Sequence, residues 1–215
     1  HPQGIPGLAT YIYNRLSRSR IFQQHYDLVA RDVLDYCPDG AILDVGTGPA
    51  RLLVALHRRA PDLELFGVDI SPGMVERAKE NLRQAGIADR VEMRAADVCH
   101  LPFEDERFDA VVSTGSIHHW KDPLAGLIEV HRVLKPGGYA LISDLVADTP
   151  QEVLKETRRE HGRLRMLLLW LHSFEEPFYN ADALAALAPQ SPFERGVVRF
   201  VGALCCLTMR KGRDD

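Results

Sequence analysis

The sequence predicts an α/β fold: one doubly wound, mostly parallel sheet of seven strands that ends in an antiparallel hairpin. Three observations predict it. Apolar strand-like segments and helical segments alternate five times between Ala41 and Ser143, which is the pattern of a parallel sheet with helices on both faces. The first strand-like segment, Ala41–Val45, runs into two glycines, Gly46 and Gly48, and then into a helical pattern from Pro49 to Arg59. That order builds a ligand site at the carboxyl end of a first strand. The last two strand-like segments, Phe193–Phe200 and Ala203–Met209, are separated by too few residues for a parallel crossover, which needs a dozen or more, so they should pair as a hairpin.

The elements follow in order. Residues 1–10 carry two prolines and two glycines and should form a loose arm, and Tyr11–Tyr36 is helix-like. Tyr11 and Tyr13 are candidates to touch a ligand if the arm folds over the sheet edge. Cys37-Pro38-Asp39-Gly40 is a turn. In Ala41–Val45 the apolar run encloses one acid, Asp44. Glycine tolerates positive φ and lets backbone approach a ligand, and Pro49 suits a first helical position. Leu63–Val68 is a second strand, closed by Asp69. Ser71 should cap the next helix, with Pro72 in its first turn and Gly86 at its end. Val91–Ala95 is a third strand, followed by Ala96-Asp97-Val98. Phe108–Ser113 is a fourth, opening into Thr114-Gly-Ser-Ile-His-His-Trp120. Asp122-Pro123 starts a helix to Leu134, Lys135–Gly138 stops it, and Tyr139–Ser143 is the fifth strand. Gln151–His172 reads as an inserted amphipathic helix over the sheet's top edge, with an apolar end, Met166–Leu171. Phe178–Leu187 is a further helix before the hairpin.

The chain therefore reads as a single domain, 1–215. It divides into a helical arm (1–36), a sheet core (37–148), a helical insert or lid (149–180), and a last helix with the strand pair (181–215). Its 215 residues are 46% apolar and carry a net charge of −4. That suits one core and supplies no basic excess for nucleic acid. No apolar run approaches the ~20 residues of a membrane span. Cys37, Cys99, Cys205 and Cys206 form no C-x-x-C pair. Buried free thiols in a reducing, cytoplasmic compartment are expected, with no metal site.

The glycine turn could hold several ligands. A dinucleotide fingerprint, G-x-G-x-x-G/A, needs a small third residue for close helix–sheet packing. Arg51 stands there, so the fingerprint fails. An acid ending the second strand would bind a ribose diol in any case, and no phosphate-binding P-loop run is present.

Five segments in order carry a resemblance: Leu43–Ala50, Gly67–Met74, Ala95–Val98, Phe108–Ser113 and Leu134–Gly138. Together they resemble class I S-adenosylmethionine-dependent methyltransferases, of the small-molecule branch similar to ubiquinone/menaquinone-biosynthesis enzymes. The likeness runs from about Tyr36 to Ser143, with the final strand pair. It implies a Rossmann-like methyltransferase fold with S-adenosyl-L-methionine as methyl donor. It further implies that Gly46, Thr47 and Gly48 bring backbone to the methionine part and that Asp44 helps hold that part. Asp69 would accept both ribose hydroxyls, a charge-assisted contact. Ile70 and Met74 would pack on the adenine, Asp97 and the Val98 N–H would read its edge, and Ser113 and Thr114 would meet the methionine ammonium. Ala50 departs from the family pattern, which often has a third glycine there, and a lower cofactor affinity is expected.

The donor's methyl is already activated, so transfer is an in-line displacement helped by alignment and exclusion of water. His118 and His119 are the candidate catalytic residues, as general bases or as groups shaping the acceptor pocket. His131 is expected to be structural. The acceptor is expected to be a small molecule, with the apolar insert favouring an aromatic or lipophilic one. Two further readings stay open: a cofactor-binding protein without turnover, and a nucleotide-cofactor oxidoreductase. Neither the acceptor's identity nor the oligomeric state is legible in the sequence.

Overall fold

The computed structural model describes residues 20–161 and 178–213. Its helices are α1 (Arg20–Tyr36), α2 (Arg51–Arg59), α3 (Pro72–Gln84), α4 (Pro123–Val133), α5 (Gln151–His161) and α6 (Ala181–Ala185). Its strands are β1 (Ala41–Val45), β2 (Glu64–Asp69), β3 (Val91–Ala95), β4 (Phe108–Thr114), β5 (Leu134–Asp144), β6 (Gly196–Val201) and β7 (Leu204–Arg210). They form one sheet in the order β3-β2-β1-β4-β5-β7-β6. The first five strands are parallel, and β7 lies antiparallel between β5 and β6. The predicted hairpin is present, with Gly202 at φ +58°. Tyr11, Tyr13 and Met166–Leu171 lie outside the described residues.

The apolar runs become the centre of the sheet because both its faces are covered. All five residues of β1 are buried. Alternate side chains enter different layers, as the period of two requires. Ile42, Ala110 and Val112 join Leu52, Leu53 and Leu56 of α2 and Ala78 and Leu82 of α3. Leu43, Val45, Phe108 and Val111 join Leu127, Val130 and Val133 of α4. Helix α1 covers the first layer through Val29, Ala30 and Val33. It is tied to β6 by Asp32, whose Oδ2 accepts from Arg199 Nη2 at 2.7 Å.

Several boundaries move, each for a local reason. Pro49 is not the first helical residue: Thr47–Ala50 closes a turn by the Ala50 N–H donating to the Thr47 carbonyl at 3.0 Å, and α2 starts at Arg51. Lys135–Gly138 does not separate α4 from a strand. It lies inside β5, which begins at Leu134 opposite Phe108 and absorbs the irregular residues through a register shift between Phe108 and Ala110. Asp109 pins this end of the sheet, since its Oδ2 accepts from the Ala41 N–H and from Lys135 Nζ, both at 2.8 Å. The helix expected over Phe178–Leu187 shortens to Ala181–Ala185, because Asn180 caps it by accepting from the Ala183 N–H at 2.7 Å.

Cys37, Cys205 and Cys206 are buried, Cys99 is partly exposed, and all four are free thiols. His131 packs edge-on against Phe193 with ring centroids 5.0 Å apart. No helix among the described residues is long and apolar enough to cross a membrane.

Candidate functional site

The strand order reverses between β1 and β4, because the chain builds outward through β2 and β3 and then returns to the other side of β1. Loops diverge there and leave a crevice at the carboxyl ends of the strands. Asp44 lies one residue before the end of β1 and the glycine turn follows it, Asp69 ends β2, Ser113 and Thr114 end β4, and Asp144 ends β5.

The turn is built for close approach. Gly46 and Gly48 have φ of +67° and +51°. A Cβ on Gly46 would collide with the Ser116 side chain. Thr47 donates its N–H to the Val68 carbonyl at 3.0 Å, which fastens the turn to β2. Its hydroxyl donates to Asp44 Oδ2 at 2.7 Å. Ala50 has φ +58°, in the left-handed region, while fully buried. The position where the resembling family often has glycine thus demands a glycine-like conformation, and this chain accepts about 1–2 kcal/mol of backbone strain to place a methyl in the core.

Two acids face the turn, and burial shifts both in the same direction. Asp44 is buried, and burial pushes its carboxyl up to about 7, with the Thr47 hydroxyl opposing and the Asp69 charge adding to the rise. Asp69 also titrates above its ordinary range through burial, opposed by two backbone donors. Those donors are the Gly48 N–H on Oδ2 and the Ser71 N–H on Oδ1, both at 2.9 Å. Each oxygen of Asp69 therefore keeps a lone pair for a ligand. Ser71 caps α3 as expected, accepting from the Met74 N–H.

The outer residues vary in access. The Ala96 N–H donates to the Asp69 carbonyl at 3.0 Å, joining the loop after β3 to the end of β2. Asp97 accepts from the Cys99 N–H at 3.0 Å, and Val98 is buried. Ile70 is 37% exposed, whereas Met74 is already covered at 3%. The Ser113 and Thr114 hydroxyls are enclosed and meet no hydrogen-bond partner.

His118 and His119 lie on a short 3-10 turn, Ile117–His119, just beyond β4. Their ring centroids are 3.9 Å apart. His118 Nδ1 lies 2.8 Å from Asp144 Oδ2. Sequence reasoning missed this pairing. It also missed Asn81, whose side-chain amide donates to the Pro49 carbonyl at 3.0 Å. A signal existed for Asn81: it is a polar residue on the buried stripe of Met74, Val75, Ala78 and Leu82. Ser116, which accepts from Trp120 Nε1 at 2.9 Å and fills the space beside Gly46, had no such signal.

A cavity of about 230 Å³ lined by Tyr36, Asp109, Lys135 and Tyr139 lies at the opposite, amino-terminal edge of the strands. There Lys135 and Asp109 satisfy each other. No cluster of metal-ligating residues occurs among the described residues.

Residues 43–142 match the model of a methyltransferase domain, and this span contains the turn, both acids and the two histidines. Over that span, just under half of the chain, the sheet core is similar to a methyltransferase domain. The resemblance to class I S-adenosylmethionine-dependent enzymes is borne out at that level. A ubiquinone/menaquinone biosynthesis C-methyltransferase of Geotalea daltonii is 36% identical over 122 residues, 56% of this chain and 51% of that protein. A demethylmenaquinone methyltransferase of Bacteroides fragilis is 36% identical over 105 residues, 48% of this chain and 42% of that protein. The chain thus spans about half the length, or less, of these curated relatives. The crystal structure of a methyltransferase from Methanococcus maripaludis, described as S-adenosyl-L-methionine-dependent, superposes with a TM-score of 0.73 at 21% identity, covering 97% of this chain and 94% of that one. The methyltransferase domain fits such a donor at its turn: Gly46 admits no side chain, Asp69 keeps acceptor capacity, and two enclosed hydroxyls await a partner.

Proposed function

We propose that the chain transfers the methyl group of S-adenosylmethionine to a small-molecule acceptor. One observation carries the reading: the Asp69 carboxylate, oriented by the Gly48 and Ser71 N–H groups, stands beside the glycine turn with a lone pair free on each oxygen. Asp69 holds the ribose diol. Gly46, Thr47 and Gly48 present backbone to the methionine part, and Asp44 provides a carboxylate for its ammonium. Ser113 and Thr114 give their unpartnered hydroxyls to the same end of the donor. Ile70 covers an adenine face with its exposed side, while Met74 supports that wall from the core. Asp97 and the Val98 N–H read the adenine edge.

When bound, the donor supplies a methyl on a positively charged sulfur, ready for displacement by a nucleophile in line with the C–S bond. The protein's part is to align the acceptor and exclude water. His118 and His119 stand at the acceptor side. Action in the cytoplasm belongs to the same reading. The relatives named for quinone biosynthesis support an aromatic or lipophilic acceptor.

Calorimetry with S-adenosylhomocysteine and with NAD tests the donor assignment. Saturable binding of the first alone is expected, and binding of NAD alone overturns the reading. Transfer of label from methyl-labelled donor to members of a panel of phenols, thiols and amines then tests turnover.

A further inference from the structure

We infer that Asp144 is a positioning residue for His118, and that His118 takes a proton through Nε2 from a hydroxyl on the methyl acceptor. The inference rests on the methyl-transfer reading above and adds the acceptor's chemical class to it.

The geometry is specific. The His118 side chain is 3% exposed and that of Asp144 is 2% exposed. Asp144 Oδ1 accepts from the Leu145 N–H at 2.8 Å, and Oδ2 accepts from the His118 N–H at 3.3 Å and faces His118 Nδ1 at 2.8 Å. A carboxylate facing Nδ1 favours the tautomer in which Nδ1 carries the ring hydrogen. In that neutral tautomer Nε2 is a bare lone pair. It is enclosed and meets no hydrogen-bond partner. The His119 and Phe178 rings, 3.9 and 4.6 Å away by centroid, confine the imidazole. A purely structural link between the turn after β4 and the end of β5 accounts for Nδ1. It leaves Nε2 unexplained, because a buried acceptor without a donor is a standing cost. A ligand that brings its own O–H relieves that cost.

The chemistry balances. The acceptor's O–H bond breaks, the proton joins the Nε2 lone pair, and the oxygen keeps the bonding pair to form its bond with the methyl carbon. The C–S pair returns to sulfur. The positive charge lost from the sulfonium appears on the imidazolium, where the Asp144 carboxylate faces it. An acceptor that arrives already ionised, such as an aromatic thiolate, needs none of this.

The test uses a substitution that separates pinning from proton transfer. His118→Asn keeps a side-chain N–H for Asp144 and removes the base. Asp144→Asn keeps the shape and removes the charge. Nitrogen-15 NMR of histidine-labelled protein reads the tautomer without any acceptor, and the Nδ1–H form is expected for His118. A His118 in the Nε2–H form overturns the inference. With simple phenols, which keep their proton at neutral pH, kcat should fall about 10²-fold or more in His118→Asn. It should fall about 10- to 100-fold in Asp144→Asn. Thiophenol, which arrives ionised, should keep its rate within about threefold, as should S-adenosylhomocysteine its affinity. Unchanged kcat for a phenol in His118→Asn, or methylation of thiophenol with refusal of every phenol, overturns the inference and leaves the donor assignment intact. Failure of the wild-type protein to bind S-adenosylhomocysteine overturns the donor assignment instead.

Discussion

The Asn81 side-chain amide donates to the Pro49 carbonyl 3.0 Å away, joining α3 to the glycine turn across 32 residues of sequence. The Asn81 side chain also accepts from Arg51 Nη2 at 3.4 Å. The turn is therefore held from behind by α3. Asn81→Ala strands a buried carbonyl, and a loss of about 1–3 kcal/mol of stability is expected, read by urea denaturation. Affinity for S-adenosylhomocysteine should fall with it.

Asp69→Ala should weaken binding of S-adenosylhomocysteine by on the order of 1–3 kcal/mol by calorimetry. The Gly48 and Ser71 N–H groups lose their acceptor in this variant, so its fold is checked by circular dichroism first. Unchanged affinity in a folded variant refutes the ribose role.

The turn should tolerate change very unevenly. Gly46→Ala puts a Cβ into Ser116 at a φ of +67°, and about 2 kcal/mol or more of destabilisation is expected from strain and collision together. Ala50→Gly relieves about 1–2 kcal/mol of left-handed strain. It removes a buried methyl worth about 0.8 kcal/mol and frees the unfolded chain by about 0.4–1 kcal/mol. The net should lie within about 1 kcal/mol of neutral, measured by the same denaturation.

Asp44 sets a pH dependence with a definite sign. Its folded carboxyl titrates at about 7 and its ordinary value is 3.8, so the folded protein binds the extra proton. The contribution to stability is full below about 4 and is lost as pH rises to about 7. Asp44→Asn should remove that fall, making the variant more stable relative to wild type at pH 8 than at pH 4 by on the order of 1–4 kcal/mol. Thermal melts across this range check it. Binding shows the opposite trend: S-adenosylhomocysteine affinity should rise as Asp44 ionises through about pH 7, and Asp44→Asn should flatten the rise in calorimetric titrations.

The alternation of strands and helices was legible from Ala41 to Ser143 because each segment's burial is written in its own period. Ser71 and Asp122 cap α3 and α4 as their positions predict, since a cap reaches only three residues ahead. Boundaries failed where a distant partner decided them. Leu134–Gly138 looks like a helix stop, yet pairing with β4 at Phe108 draws it into a strand. Pro49 looks like a helix start, yet the turn needs Ala50 in a left-handed conformation before α2 can begin.

The sequence by itself determined the strand–turn–helix unit around Gly46 and Gly48, the acids near the ends of β1 and β2, and the order of the elements. These depend on residues close together in the chain. Only the tertiary structure decided that Asp144 meets His118 across 26 residues and that Asn81 holds Pro49 across 32. Such pairs exist because the sheet order places β5 beside β4 and packs α3 behind the turn. No local period encodes which buried polar group will find which partner. The same separation runs through the site: the glycine turn was readable as a place for a methyl donor, and the His118–Asp144 pair became visible only when β4 and β5 lay side by side.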